Sequence, residues 1–429
     1  MIIKNNIMTR FFLPFLERFL RTDVRYLLKG TFWLSISRVL GMGVAFGLSV
    51  LYARYLPKEL YGNFRYIMSI AGALGIFALP GMATIIMRSV ARGFEGTFRR
   101  GSLLIFFASF GISVISIGIA VWFYAHGNSA FAAGFLITGL LVPFAEGLGN
   151  WRAYFDGRKE FQKKTGFNIV SNLFYGIVMG STIAFIIAFD TDSFAVLVFL
   201  VAAYFLGHGI PNIIAYRSTL RIISKQAPIE PGAIRYGFHL SFLEAPATIA
   251  NYLDGVLLYQ LLGPASLAVY SFALAPTEQM KGFLGLSATV AAPKLFVRTA
   301  TREETAELKR TLTFKILRSV FFTAFLVGFY IMLAPWFYRT FFPAYQEAIL
   351  FSQILSLSLL LFPLGLFNTA LKAEGDLRKI YIYQLCAPFV QIIAFVILIP
   401  FFGIWGAVIG RLFGRFVTYF LALFLFIWP

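Results

Sequence analysis

Three cations interrupt stretches that are otherwise apolar: Arg38, flanked by Ser35 and Ser37, then Arg65, then Lys281. Arg411 and Arg415 follow, four residues apart and so on one helical face. Carboxylates are placed in the same way. Glu244 and Asp254 stand ten residues apart in one apolar stretch, about 15 Å along a helix. Glu278 precedes Lys281 by three residues, close enough to pair on one face. An ionisable group inside such a stretch is costly unless it is paired, faces a polar cavity, or gives up its charge. These eight residues are therefore the candidates for moving or coupling charged cargo. Each has a structural alternative: snorkelling of Arg65 to headgroups, an acidic partner for Arg38, the Glu278 pair for Lys281, and a fixed salt bridge for Asp254. Arg411 and Arg415 either extend a cavity or pair with carboxylates that hold their half of the molecule together. Glu146 is expected only to meet the neighbouring basic loop.

Metal and disulfide chemistry find no support. The one cysteine, Cys386, lies in an apolar stretch and is expected to be buried, and the three histidines are far apart. Gly41, Gly43 and Gly47 follow no strand and lack dinucleotide-binding spacing, so they are expected to allow close helix packing.

The elements that carry these residues are set by composition. Of 429 residues, 59% are hydrophobic and 13% charged, with a mean hydropathy of +0.78. A soluble chain carries roughly 25% charged residues, so most of this surface faces lipid. Twelve apolar blocks of spanning length run near 31–55, 62–86, 102–125, 130–150, 166–189, 194–216, 237–262, 265–292, 315–341, 348–371, 380–401 and 403–428. Pro80, Pro143, Pro246, Pro276, Pro363 and Pro388 fall within blocks and predict kinks. The net charge of +18 does not indicate nucleic acid, because Lys and Arg recur in alternate gaps rather than in one basic domain. The N-terminal tail and the gaps after even-numbered blocks hold 29 of them, against four toward the opposite side. That asymmetry predicts cytoplasmic termini and a multi-pass protein of the inner membrane.

Residues 1–28 carry no evident signal peptide and read as an amphipathic segment lying on the membrane, or else a disordered tail. Two lobes are expected at 29–222 and 223–429, because the blocks repeat. At an offset of 207, Gly30, Leu51, Tyr52, Pro57 and Leu60 meet Gly237, Leu258, Tyr259, Pro264 and Leu267. At an offset of 218, Asn150 and Gly157 meet Asn368 and Gly375, with Asp156 over Glu374. Parallel six-helix halves place a transporter's site at their interface. The predicted fold is an all-α polytopic membrane protein of about twelve transmembrane helices in two six-helix lobes around a central cavity. The mixed-charge segment 298–318 reads as a surface helix between the lobes that could also dock polysaccharide-assembly proteins.

The turn from Ala53 to Phe64 (ARYLPKELYGNF) and the loop from Tyr154 to Phe161 (YFDGRKEF) resemble those of oligosaccharide flippases. These belong to the polysaccharide-transporter branch of the multidrug/oligosaccharidyl-lipid/polysaccharide exporter superfamily, and the likeness in length and layout covers nearly the whole chain. The resemblance implies two lobes that alternate between inward- and outward-open states. It implies a non-enzymatic flippase for an undecaprenyl-diphosphate-linked oligosaccharide, for which Arg38, Arg65 and Lys281 would supply cations. It implies no cofactor beyond a coupling cation (proton or sodium) or the membrane potential, with Asp254 and Glu244 as candidate coupling groups. The superfamily's peptidoglycan lipid II flippase has two more spans, which favours a general sugar-repeat flippase here. Two other readings compete. A drug/cation antiporter would need an anionic pocket, whereas the in-span excess at the candidate cavity is basic. A membrane polymerase or ligase would need a large outer loop, and the outer gaps are short.

Overall fold

The computed structural model describes residues 24–285, 302–365, 367–368 and 377–427. The N-terminal amphipathic segment lies largely outside these residues, as do positions 298–301 of the inter-lobe segment and the pair Glu374 and Gly375.

Every apolar block contains helix, and the described residues contain no strand. The first lobe comprises α1 (Val24–Tyr55), α2 (Lys58–Ala73), α3 (Pro80–Ala91), α4 (Gly96–Ala125), α5 (Ser129–Ala145), α6 (Trp151–Gly157), α7 (Phe161–Ala188) and α8 (Ser193–Ile222). The second comprises α9 (Ala233–Leu262), α10 (Pro264–Leu284), α11 (Arg302–Phe341), α12 (Ala348–Leu357), α13 (Leu377–Phe402) and α14 (Ile404–Ile427). Among the described residues, seven helices are long and apolar enough to cross a membrane, or eight with the bent pair α2/α3. α9 and α10, which carry Glu244, Asp254, Glu278 and Lys281, are not among them.

Local chemistry sets the ends. Pro57 and Pro264, equivalent in the repeat, open α2 and α10, where a missing N–H costs nothing. Gly263, at φ 83°, makes the turn between α9 and α10. The Asn128 side chain accepts from the Phe131 N–H and caps α5.

The second block kinks at Pro80 as expected, and there the helix is interrupted rather than bent continuously. After α2 the chain tightens into a 3-10 turn over Leu74–Ala78, Leu79 turns left-handed at φ 49°, and α3 departs at 48°. Pro80 is the cause: it lacks a donor and bars the preceding residue from the helical conformation.

Packing follows the logic of a bundle in lipid. Along α4, Ser102, Ser109, Ser113 and Ser116 face inward while Phe107, Val114 and Val121 face outward. Small inward residues let backbones approach, and lipid needs no polar surface. Cys386 corrects an expectation: it is exposed, on the same outward stripe of α13 as Ile382, Phe389 and Ile393. Gly43 and Gly47 are a second correction. A β-carbon at either would meet nothing within 4 Å, so of the three glycines only Gly41, against Asn172, is in close packing.

The lobes press together at the end opposite the basic loops. A β-carbon on Gly62 of α2 would collide with the Pro264 carbonyl oxygen, so the two backbones touch there. Tyr66 stacks on Tyr259 at 4.0 Å, Tyr259 donates to Asn63 at 2.8 Å, and Lys58 pairs with Glu347 at 2.5 Å. At the basic end, the linker between α8 and α9 is strapped to the first lobe. Gly96 N–H donates to the Pro228 carbonyl, and Glu230 accepts from Ser89 and pairs with Arg92 at 2.9 Å. Burial of Glu230 opposes its charge, but the Ser89 hydroxyl with Arg88 and Arg92 outweighs it and holds the carboxyl below its ordinary range.

Candidate functional site

Two first-lobe guanidiniums cross to the second lobe and both end on α10. Arg38 lies across Gly282, where a β-carbon would collide with its guanidinium, and donates to Gln279 Oε1 at 3.3 Å. Its Nε is buried without a hydrogen-bond partner among the described residues. Arg65 donates from Nε to Ser271 Oγ at 3.3 Å. Neither guanidinium has a carboxylate within ion-pair distance among the described residues. Ser271 and Gln279 are eight residues apart, so the two cations sit about 12 Å apart along the helix. Gly282 is what allows the Arg38 crossing.

The second lobe holds the carboxylates. Asp254 Oδ2 accepts from Arg411 Nε at 2.9 Å, from Arg411 Nη2 at 2.5 Å and from the Tyr270 hydroxyl at 2.5 Å. Its Oδ1 accepts from the Gly255 N–H at 2.8 Å. Arg411 Nη2 also donates to the Asn251 carbonyl at 2.9 Å. Asp254 is thus a fully coordinated carboxylate in a buried ion pair linking α9 to α14. One turn along α14, Arg415 donates to Ser358 Oγ at 2.6 Å and pairs with Glu278, which also pairs with Lys281 at 3.5 Å. The periodicity that puts Arg411 and Arg415 on one face brings each to a different carboxylate.

Around these groups lie two cavities, one between the first lobe and α9 and one within the second lobe. The first, about 590 Å³, is bordered by Arg65, Glu146, Asn150, Arg152, Tyr204 and Tyr252. The second, about 430 Å³, is bordered by Glu244, Asn251, Lys281, Gln384, Arg411 and Arg415. Both volumes fall in the range of small-molecule sites. Thr248 of α9 borders both. The break before Pro80 is structural to the first, since Gly75, Ala78 and Leu79 line its wall. Arg38 borders neither cavity and stands at the lobe interface against Gly282 and Gln279.

The structure therefore brings Lys281, Glu278, Arg411, Arg415, Asp254 and Glu244 together in the second lobe, with Arg38 reaching to their edge and Arg65 apart in the first. Glu146 does more than meet the basic loop, because it borders the first cavity. Residues that sequence reasoning passed over are Arg152, Asn251, Gln384 and Gln391. Arg152 donates to Asn168 at 3.1 Å and lies over the Trp151 ring at 4.4 Å. The seven-residue spacing of Gln384 and Gln391 was the available signal for a polar face on α13. Asn150 and Asn368, paired by the internal repeat, border the first and second cavity respectively.

The fold has solved counterparts. A structure described as the lipid II flippase MurJ in an inward closed conformation superposes with a TM-score of 0.68 at 15% identity, covering 92% of this chain and 87% of that one. An outward-facing multidrug resistance MATE family transporter of the MOP superfamily gives 0.63 at 15% identity, covering 93% and 94%. An inward-facing conformation of a MATE family transporter of the same superfamily gives 0.63 at 15% identity, covering 92% and 97%. At such identities the likeness concerns the fold, an all-helical multi-pass membrane architecture. No curated protein matches the chain. The family model described as polysaccharide biosynthesis protein matches residues 27–299, more than half of the sequence and both interface cations of the first lobe. The chain belongs to the polysaccharide biosynthesis protein family.

Proposed function

We propose that this protein flips an undecaprenyl-diphosphate-linked oligosaccharide from the inner to the outer leaflet of the cytoplasmic membrane by alternating access. The observation that carries this reading is the pair Arg38 and Arg65, two cations at the lobe interface that end on the neutral partners Gln279 and Ser271. Two guanidiniums about 12 Å apart along α10 suit a polyvalent anion that slides past them. A diphosphate has that charge, and its prenyl tail can remain in lipid, so only the polar headgroup needs a protein path. Lys281, paired with Glu278 on the same helix, adds a third cation at the wall of the second cavity. The family's description, polysaccharide biosynthesis, favours a glycan cargo over a cationic drug.

The closed neutral end and the cavities toward the basic end correspond to loading from the cytoplasmic side, with both termini on that side and the lobes rocking about the α2/α10 contact. Coupling falls to the carboxylates of α9. Asp254, held by Arg411, and Glu244, at the wall of the second cavity, are the two candidates to exchange a proton or sodium ion. The test is Arg38→Ala in a flipping assay with undecaprenyl-diphosphate glycan in proteoliposomes. Loss of a charged hydrogen bond predicts at least about a tenfold fall in rate, with partial recovery in Arg38→Lys. Full activity of Arg38→Ala at normal abundance would remove this residue from the path.

A further inference from the structure

The second cavity has walls that the diphosphate does not need. Three helices supply them at helical spacing: Glu244, Ala247, Thr248 and Asn251 from α9, Gln384, Ala387, Pro388 and Gln391 from α13, and Arg411, Arg415 and Thr418 from α14. The small residues Ala247 and Ala387 leave the room; the amides line it. The two arginines at its floor are already committed, Arg411 to Asp254 and Arg415 to Glu278. What remains open to a ligand is mostly neutral and polar.

Gln384 marks the site. Its side chain is buried, with 6% of the residue exposed, and among the described residues neither its Oε1 nor its Nε2 has a hydrogen-bond partner. A buried carboxamide without partners is unfavourable, and an apolar side chain of the same length would be better tolerated by the fold alone. Seven residues on, Gln391 lies against Gly414, where a β-carbon would come within 2.6 Å of its Cγ, and reaches the Ala250 carbonyl only at 3.4 Å. Asn251, exposed along the cavity wall, adds a third amide. A carboxamide presents a donor and an acceptor side by side, which matches the adjacent hydroxyls or the acetamido group of a sugar.

We infer that the second-lobe cavity is a sugar subsite, in which Gln384, Gln391 and Asn251 hydrogen-bond the sugar next to the diphosphate while Arg38 and Lys281 hold the phosphates at the lobe interface. This rests on the cargo proposed above. It assigns recognition of the glycan to α9 and α13 and recognition of the anion to α1 and α10.

The test compares two probes on the full-length protein in nanodiscs: undecaprenyl diphosphate, and the same lipid carrying a disaccharide. Wild type should bind the glycosylated lipid more tightly. In Gln384→Met that preference should shrink by about tenfold, the loss of one or two ligand hydrogen bonds, while the melting temperature does not fall. Arg38→Ala should instead weaken both probes together. Gln384→Met with a lower melting temperature and an intact preference would make Gln384 structural and overturn the subsite. A wild-type preference that survives Gln384→Met, Gln391→Ala and Asn251→Ala would place the sugar elsewhere and leave the proposed cargo standing. Equal binding of both probes also overturns the subsite. Binding of neither overturns the proposed cargo as well.

Discussion

The ion pair between Asp254 and Arg411 offers the sharpest test of how the second lobe is held together. Arg411 is 5% exposed and Asp254 2%, and the carboxylate accepts two bonds from the guanidinium, one from Tyr270 and one from the Gly255 backbone. Asp254→Asn preserves the shape but strands a buried guanidinium, which costs roughly 3–5 kcal/mol. Arg411→Met strands the carboxylate at a similar cost. In the double variant, Asp254→Asn with Arg411→Met, no uncompensated charge remains, and an apolar replacement of a buried pair is often neutral. The expected pattern in thermal melts of purified protein is two strongly destabilised single variants and a double variant closer to wild type than either. Flipping under imposed pH, sodium and voltage gradients, run on the same proteins, separates stability from coupling. An Asp254→Asn protein that melts like wild type, with a double variant no more stable than the singles, would refute the structural role. If that protein also loses its response to one gradient, Asp254 carries the coupling instead.

Two further outcomes are expected. Single cysteines at Asn128 and Asp192, in a Cys386-free background, should react with an impermeant thiol reagent in intact cells, while a cysteine at Lys163 should not; the reverse pattern would invert the orientation. The linker strap should weaken in acid. Because the Glu230 carboxyl is held below its unfolded range, its contribution is complete above the unfolded pKa and is lost as pH falls through the folded one. Acid-induced proteolysis of the linker between α8 and α9 should therefore be steeper in wild type than in Glu230→Gln, and equal pH profiles would remove Glu230 from the strap.

The twelve apolar blocks, and with them the helical class and lipid-facing surface, were legible because membrane partition is a local property of about 20 residues at a time. Pro57 and Pro264 were legible as turn markers for the same reason: proline acts on its immediate neighbours. The charged candidates were visible as exceptions within apolar blocks, since any such group demands compensation. Only the Glu278–Lys281 pair, three residues apart, could be read from spacing; what compensates the others was not visible. Asp254 finds Arg411 across 157 positions, and Arg38 finds Gln279 across 241. The choice depends on which helix faces meet, and a sequence with 3.6-residue periodicity and polar groups on several faces does not specify its neighbours. The exposure of Cys386 was missed on the same ground, because in lipid an outward face is as apolar as an inward one. The severity of the break at Leu79 was decided by packing as well: Pro80 announces a kink, but only the tertiary structure decides that the chain turns left-handed there and opens a wall of the first cavity. The unpartnered amide of Gln384 is likewise a tertiary fact, since glutamine in a span carries no sign of whether its neighbours satisfy it or leave it for a ligand.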